Sequence, residues 1–288
     1  MLFNNFKDYL DIEKKYSKKT VYAYLGDIHE FDKFLKVNFS NLNIKNIEYT
    51  NVRRWIVKLS EKNISKNTIN RKLASLKSYF NFLVATNTID ISPLESHKNL
   101  KTVRKIINPF TEQEINEVFE NFELLDLKNK RDQLIIEILY STGIRREELI
   151  NIKISDIYFN QKLIKVLGKR NKERLVPMLP KLSHNIDLYI KNNDPEKFLF
   201  ESKPQKKISI STLYRLVNKY FRVVSTKTKI SPHVLRHTFA THMYNNGADI
   251  NSIKEILGHA SLSSTELYTK VKLPKIINDY KQNHPREK

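Results

Sequence analysis

Apolar residues recur at intervals of three and four along most of the first ninety positions, a spacing that collects them on one face of a helix. The longest such run contains Ile69, Leu73, Leu76, Phe80 and Leu83. Ser17 and Ser65 each stand just before a periodic run, where a serine side chain can cap the first helical turn. The pattern therefore predicts an all-helical domain over residues 1–90.

The helical period fails between residues 91 and 108, where Pro93 and several basic residues stand in a polar stretch. We interpret residues 91–108 as a linker between domains. Thr111 followed three positions later by Glu114 is a capping-box pattern, which predicts that a helix begins there. The second domain is predicted to span residues 109–288.

This second domain contains one clear departure from the helical period. Apolar residues at 163–166 and 175–176 flank the cationic segment Gly168-Lys169-Arg170-Asn171-Lys172, which is typical of a β-hairpin. Helices are predicted again at about 181–192, 209–224 and 273–280. The fold class is therefore mainly α, with a small β-hairpin or sheet in the C-terminal of two domains.

A helix that begins near Pro232 carries both packing residues and candidate chemistry. Leu235, Phe239 and Met243 recur every four residues and predict a stripe that faces the core. His233 and Arg236 are three apart, so they project from one face and can meet one ligand. We expect function and packing to occupy separate faces of this helix.

The next predicted helix, at about 249–257, is closed by a glycine, and two candidate functional residues follow it. Gly258 has the freedom to end a helix in the left-handed conformation. His259 comes directly after this glycine, and Tyr268 stands in the polar segment 261–270. The setting of Tyr268 suggests a positioned side chain more than a packed one.

The charge of the chain points to a polyanionic partner. The 51 Lys and Arg against 31 Asp and Glu leave a net charge of +20. Such an excess favours binding to nucleic acid. The alternative is that the Lys- and Asn-rich composition reflects the base composition of the genome. Four cations that follow Ser65 suit contacts with a DNA backbone, and a hydrated surface would look the same. They are Lys66, Arg71, Lys72 and Lys77.

The composition also excludes several classes of function. The chain has no cysteine, so it forms no disulfide, thiolate nucleophile or cysteine zinc site. It has no run of about 18 apolar residues, and its first residues lack the layout of a signal peptide. We expect a cytoplasmic protein.

Two basic residues in the second domain stand where an anion could bind. Arg145 follows the predicted helix end at Gly143, at the start of the next short helix. The alternative is a surface ion pair of Arg145 with Glu147 or Glu148. Lys169 lies at the predicted hairpin tip, where it could swing over a site built elsewhere or remain hydrated.

Six positions together resemble the tyrosine recombinases, and the Xer type most closely. They are Arg145 in Thr-Gly-Ile-Arg, Lys169 in Gly-Lys-Arg, His233 and Arg236 in His-Val-Leu-Arg-His, His259 in Leu-Gly-His, and Tyr268 in Tyr-Thr-Lys. The segment 65–73 resembles the core-binding domain of the same family. Arg170 departs from the pattern, since relatives commonly have glycine there, which weakens the choice of Lys169 over Lys172.

The resemblance implies a reaction and a role for each residue. Arg145 and Arg236 would clamp a DNA phosphate through their forked donors, and His259 would add a hydrogen bond. Tyr268 would attack the phosphorus and form a 3′-phosphotyrosyl linkage, with His233 accepting the phenol proton and Lys169 protonating the departing 5′ oxygen. Because the ester keeps the bond energy, the reaction would need no cofactor, ATP or metal.

The resemblance also implies partners. A homo- or hetero-tetramer would hold two double-stranded DNA sites, each an inverted repeat, and exchange strands through a Holliday junction. Residues 269–288 would dock on a neighbouring subunit and govern which Tyr268 is active. The Xer type implies a protein that associates with the nucleoid and resolves chromosome dimers, with a DNA translocase as a possible activator.

Other interpretations explain parts of the pattern. Integration of a small mobile element or phage fits the same residues. His233 and His237 have the spacing of metal ligands on a helix, but no carboxylate completes such a motif. A non-catalytic DNA-binding protein would explain the charge but not the ordered set of six residues. A type IB topoisomerase shares the tyrosine chemistry, although the compact size and the first domain favour recombination.

Overall fold

The computed structural model describes residues 2–39, 42–102, 107–123, 130–168, 172–258 and 272–287. The chain divides into two compact units, residues 1–105 and residues 106–288. The N-terminal unit is built from four helices within these described residues. They are α1 (Leu2–Asp8), which continues as a π-helical turn over Tyr9–Glu13, α2 (Lys18–Asn38), α3 (Tyr49–Glu61) and α4 (Lys66–Ala85).

The helix starts predicted at two serines in the N-terminal unit are confirmed. The Ser17 hydroxyl accepts a hydrogen bond from the backbone N–H of Thr20 at 3.3 Å. The Ser65 hydroxyl accepts one from Thr68 at the same distance. The apolar run of α4 is buried as predicted, and it packs with Trp55 of α3 into one core. These helices are held by the periodic apolar face that the sequence displays.

Part of the predicted linker packs on the N-terminal unit. Leu94 is fully buried in the core of that unit. The Asn70 side chain donates to the carbonyl of Leu100 and accepts from its N–H, both at 2.9 Å. This amide pairing fixes an irregular segment against α4 and satisfies backbone groups that have no helical partner.

Two of the cations predicted to face DNA form ion pairs with carboxylates of the N-terminal unit. Arg71 donates to both carboxylate oxygens of the buried Asp27, at 2.6 and 2.9 Å. Lys72 is buried and pairs with Glu30 and Asp27. Because these carboxylates neutralise them, Arg71 and Lys72 hold α4 against α2, and the expectation that Lys72 lies on an exposed basic face is wrong.

The C-terminal unit combines helices with two small antiparallel sheets. The helices are α5 (Glu112–Glu123), α6 (Lys130–Thr142), α7 (Arg146–Leu149), α8 (Pro180–Asn193), α9 (Ile210–Val224), α10 (Pro232–Asn245), α11 (Ile250–Leu257) and α12 (Lys272–Asn283). The strands are β1 (Ile157–Tyr158), β2 (Leu163–Leu167), β3 (Glu173–Pro177), β4 (Glu201–Lys203) and β5 (Lys206–Lys207). The predicted fold class, mainly helical with small sheets in the C-terminal part, is confirmed.

The predicted hairpin is formed by β2 and β3. Ile164 pairs with Val176 in its antiparallel register, and β1 adds to the other edge of β2. Both of these paired residues are fully buried, which fixes the face that each strand turns inward. The tip of the hairpin, residues 169–171, lies outside the described residues.

Helices α6 and α10 form the centre of the C-terminal core. Leu235, Phe239 and Met243 of α10 are buried as predicted. Gly143, at the end of α6, has φ of +60°, and a Cβ there would lie 2.4 Å from Cδ1 of Phe239. Only glycine combines that backbone conformation with so close an approach, so this residue both ends α6 and directs the chain towards Arg145.

Candidate active site

The structure describes three of the six predicted site residues. Arg145, His233 and Arg236 lie within the described part of the C-terminal unit, at the start of α7 and on the first turns of α10. Lys169, His259 and Tyr268 lie outside the described residues. The geometry that follows therefore concerns the two arginines, one histidine and their neighbours.

Arg236 is held between the ends of two helices. Its guanidinium donates at 2.7 Å to the carbonyl of Gly143, after α6, and at 2.7 Å to the carbonyl of Leu257, at the end of α11. Only 5% of the residue is exposed. The expected separation of function and packing on α10 is therefore wrong for Arg236, because this side chain also joins helix ends. Burial, and then the charge of Arg145, lower the Arg236 pKa to about 10, so the group stays charged at neutral pH.

Arg145 precedes α7 and remains partly open to solvent. It donates to Glu148 Oε1 at 2.8 Å and to the carbonyl of Gly258 at 3.3 Å, while 39% of its side chain is exposed. Its backbone N–H also donates to Glu148 Oε2 at 2.7 Å. The ion pair considered as an alternative for Arg145 is thus present. The exposed part of the guanidinium keeps donors for an anion, so the two interpretations coexist.

A buried arginine and a buried glutamate support these two arginines, and sequence reasoning missed the buried arginine. Arg174 on β3 is 6% exposed and Glu148 on α7 is 3% exposed. Arg174 donates to the two Glu148 oxygens at 2.8 and 2.9 Å, and its Nε donates to the carbonyl of Ile256 at 2.8 Å. One signal was available: Arg174 is two positions before the apolar Val176, on the inward face of a predicted strand, where a charge needs a buried partner.

Glu148 remains an anion in this setting. Burial by itself would raise its pKa, but the hydrogen bonds and charge of Arg174, together with those of Arg145, outweigh burial and lower the Glu148 pKa. An ionised carboxylate accepts from both arginines at once. Glu148 therefore fixes the direction in which Arg145 points.

His233 is exposed on the first turn of α10. Desolvation of its ring, followed by the positive charges of Arg236 and Lys229, lowers the His233 pKa. A neutral imidazole can accept a proton, which is the property that a general base needs at neutral pH. His233 thus combines an accessible ring with the right protonation state.

Three arginines from separate parts of the chain meet at the C-terminal end of α11. Arg174 binds the carbonyl of residue 256, Arg236 that of residue 257 and Arg145 that of residue 258. The last carbonyls of a helix lack partners within the helix and carry the negative end of its dipole, so guanidinium groups bind well there. Gly258, with φ of +63°, ends the helix and exposes these carbonyls. The result is a concentration of positive charge suited to a phosphate.

Neither a metal centre nor a membrane span is found in the described part of the chain. No group of three or more histidine, aspartate or glutamate side chains there could hold a metal ion. Nor is any described helix both long and apolar enough to cross a membrane.

Profiles of two families match the chain. Residues 105–273 match the phage integrase family, and residues 3–87 match the N-terminal SAM-like domain of phage integrases. Together these two matches cover most of both units. The family assignment is therefore not confined to the short motifs of the site.

Curated relatives match over nearly the full length. A tyrosine recombinase of Pseudothermotoga lettingae is 37% identical, over 94% of this chain and 93% of the relative. Tyrosine recombinase XerC of Pediococcus pentosaceus is 35% identical, over 99% and 98%. The protein of the same name from Bacillus subtilis is 32% identical, over 98% and 95%.

Solved structures of integrases and recombinases share the fold. The Tn1549 transposon integrase in complex with transposon right end DNA gives a TM-score of 0.72 at 18% identity, covering 96% of this chain and 99% of that one. A lambda integrase dimer bound to a core site gives 0.70 at 16% identity, covering 92% and 98%. XerH recombinase bound to its difH substrate gives 0.64 at 23% identity, covering 88% and 76%. With relatives matching along almost its whole length, the chain belongs to the phage integrase family of tyrosine recombinases.

Proposed function

We propose that this protein is a site-specific DNA recombinase that cleaves and rejoins strands through a 3′-phosphotyrosyl intermediate. The observation that carries the proposal is the convergence of Arg145 and Arg236 on the adjacent carbonyls of Leu257 and Gly258. Two guanidinium groups held this close form a clamp for one phosphate. The full-length match to tyrosine recombinases supports the same activity.

The clamp has donors to offer a phosphate. A guanidinium carries five N–H donors, and Arg236 uses two nitrogens on the carbonyls of Gly143 and Leu257. Arg145 is similarly fixed by Glu148 yet partly exposed. The phosphoryl transition state gathers negative charge on its equatorial oxygens, so charged donors fixed beforehand lower its energy more than that of the substrate.

The remaining roles in this proposal rest on the family resemblance. The phenol oxygen of Tyr268 bonds to phosphorus while the bond from phosphorus to the 5′ oxygen breaks. His233, whose lowered pKa keeps its imidazole neutral at neutral pH, accepts the phenol proton, and Lys169 donates a proton to the departing 5′ oxygen. His259 donates a hydrogen bond to the phosphate. The reverse reaction with a different 5′ hydroxyl completes strand exchange.

The biological setting of this proposal is the resolution of chromosome dimers. The full-length relatives named XerC support it. In this proposal the protein acts in the cytoplasm at the nucleoid, as a tetramer on two inverted-repeat DNA sites, with a DNA translocase as activator. A helical domain over residues 1–90, a linker over 91–108 and a catalytic domain over 109–288 would divide the work of binding and cleavage.

The test of this function is trapping of the covalent intermediate on a nicked duplex that carries the target site. In the presence of a chelator the wild-type protein should become attached to DNA, whereas Tyr268→Phe should not, because phenylalanine has no nucleophilic oxygen. Tyr244, which is exposed near the end of α10, provides the matched control. Tyr244→Phe should form the adduct as the wild type does. An adduct that persists in Tyr268→Phe and disappears in Tyr244→Phe would assign the nucleophile to the other tyrosine.

A further inference from the structure

Arg174 is a buried cation whose hydrogen-bond acceptors all lie next to Arg145 or Arg236. It lies on β3, the second strand of the β2–β3 hairpin. Its three donor nitrogens reach Glu148 Oε1, Glu148 Oε2 and the carbonyl of Ile256 at 2.8 to 2.9 Å. The side chain therefore joins three segments of the chain: the hairpin, the start of α7 and the end of α11.

Burial shows how Arg174 can act. All three nitrogens of the buried Arg174 guanidinium donate to protein groups, whereas Arg236 leaves one nitrogen without such a bond among the described residues, so Arg174 is the less able of the two to bind a substrate. A Cβ on Gly258 would lie 2.9 Å from Cδ of Arg174, so the side chain packs directly beneath the glycine that ends α11. Any influence of Arg174 on the reaction must pass through the groups that it holds.

The group most affected is Glu148, which faces three cations. Arg145 contacts it from the start of α7, Arg174 from β3, and Arg236 acts on it from α10 through charge. Arg174 binds both Glu148 oxygens, and the same two oxygens accept from the side chain and the backbone N–H of Arg145. The orientation of Arg145 thus depends on a carboxylate whose own position is set by Arg174.

We propose that Arg174 is a positioning residue for DNA cleavage. It holds Glu148, and through Glu148 it holds Arg145, in a fixed position relative to the end of α11. The proposal rests on the recombinase function proposed above, since the phosphate clamp is what Arg174 positions. Preorganised donors stabilise a transition state only if they are held to within fractions of an ångström. Arg174 supplies that constraint from β3, through its bonds to Glu148 and to the carbonyl of Ile256.

The first experiment compares single-turnover cleavage with DNA affinity. Arg174→Met removes the charge and the three hydrogen bonds, and Arg174→Lys keeps the charge but loses the forked geometry. Both variants should bind duplex DNA nearly as the wild type does and cleave it about 10- to 100-fold more slowly. Lys165→Met, on β2 of the same hairpin, is the matched control, because Lys165 pairs only with Asp156 and Glu173 among the described residues. It should cleave at close to the wild-type rate.

The second measurement is a pH profile, which separates positioning from general damage to the fold. Cleavage needs Glu148 ionised, and Arg174 contributes to the low pKa of that carboxyl group. Without Arg174 the effect of burial has less opposition, so the Glu148 pKa rises and the acid limb of the rate profile should move to higher pH in Arg174→Met. The move should be smaller in Arg174→Lys.

NMR titration of the Glu148 carboxyl carbon gives a reading that does not depend on cleavage. The midpoint of this titration should be higher in Arg174→Met than in the wild type.

If the wild type forms no DNA adduct, the recombinase function fails, while this titration still measures the effect of Arg174 on the Glu148 pKa. Wild-type rates in both Arg174 variants would overturn the positioning role. So would parallel losses of binding and cleavage with an unchanged Glu148 midpoint. Arg174→Lys keeps these outcomes measurable if Arg174→Met does not fold.

Discussion

Arg236 has two roles: it makes structural hydrogen bonds, and it supplies a positive charge that the proposed reaction needs. It satisfies the carbonyls of Gly143 and Leu257 while it stands beside Arg145. A truncation to alanine would leave two buried carbonyls without these donors, at about 1–3 kcal/mol each. The effects of Arg236→Ala on cleavage and on folding would therefore be difficult to separate.

Arg236→Lys is the cleaner variant. A lysine keeps the positive charge but cannot serve two carbonyls and a phosphate from one planar fork. We expect cleavage to fall by roughly 100-fold or more, while duplex binding stays near normal because many other cations bind the DNA backbone. Rates of adduct formation and equilibrium DNA binding on the same duplex check this. Equal losses in both would show that Arg236 is mainly structural.

Residues of the site differ in how far the sequence reveals them. Arg145, His233 and Arg236 belong to short motifs whose spacing is visible in the chain. Arg174 was missed, and Glu148 was considered only as a surface partner of Arg145, because their importance arises from burial and from each other, across separate elements. The strand pattern places Arg174 on an inward face, but it does not identify the distant residue that pairs with Arg174, so only the fold shows the salt bridge.

At the scale of elements, α12 shows that a correct prediction of a helix does not reveal the surface on which that helix packs. The sequence predicts a helix over about 273–280, and α12 is present at Lys272–Asn283. It packs on its own unit: Tyr280 is fully buried, and its hydroxyl donates to the carbonyl of Ser141 at 2.7 Å. Docking of residues 269–288 on a neighbouring subunit, as the resemblance implies, would require these contacts to open. The periodicity of a helix identifies its apolar face but not the surface that covers it.

The contacts of this segment should weaken in acid. His284, just after α12, is fully buried among the rings of Tyr140, Phe239 and Tyr280, and its Nε2 has no hydrogen-bond partner within the described residues. Burial, and then the charge of Arg286, lower the His284 pKa to about 3. The free histidine has a pKa of about 6.5, so between these values the released state binds the proton and the docked state does not.

Stability of the docked segment is therefore complete above pH 6.5 and is lost as the pH falls below it. The loss should reach about 2 kcal/mol at pH 5. Amide hydrogen exchange of residues 272–284 at pH 7 and pH 5, corrected for the intrinsic rate, measures it. His284→Phe should remove most of the pH dependence. The remainder comes from the buried His242 of α10, whose pKa is also lowered. Replacement of the exposed His184 should leave the dependence unchanged.

At the scale of the whole molecule, the charge of the chain cannot be neutralised internally. Even if each of the 31 acidic residues paired with one of the 51 basic residues, 51 − 31 = 20 cations would remain. The fold also uses specific cations in its own ion pairs, as with Arg71, Lys72 and Arg174. Net charge thus predicted a polyanionic partner from composition alone, but it could not tell which cations are available to that partner.

The remaining cations predict a steep dependence of DNA binding on salt. Each phosphate that the protein neutralises releases condensed counterions, so the logarithm of the binding constant falls linearly with the logarithm of the salt concentration. A footprint of about six phosphates gives a slope near −5 and a loss of roughly 1,000-fold between 50 and 200 mM salt. Tyr268→Phe should show the same slope, because the substitution removes no lysine or arginine that could neutralise a phosphate. A duplex of unrelated sequence should show a similar slope at lower affinity, since phosphate contacts carry no sequence information. A slope close to zero would mean that the excess charge does not face the DNA, and the electrostatic basis for a nucleic-acid partner would fail.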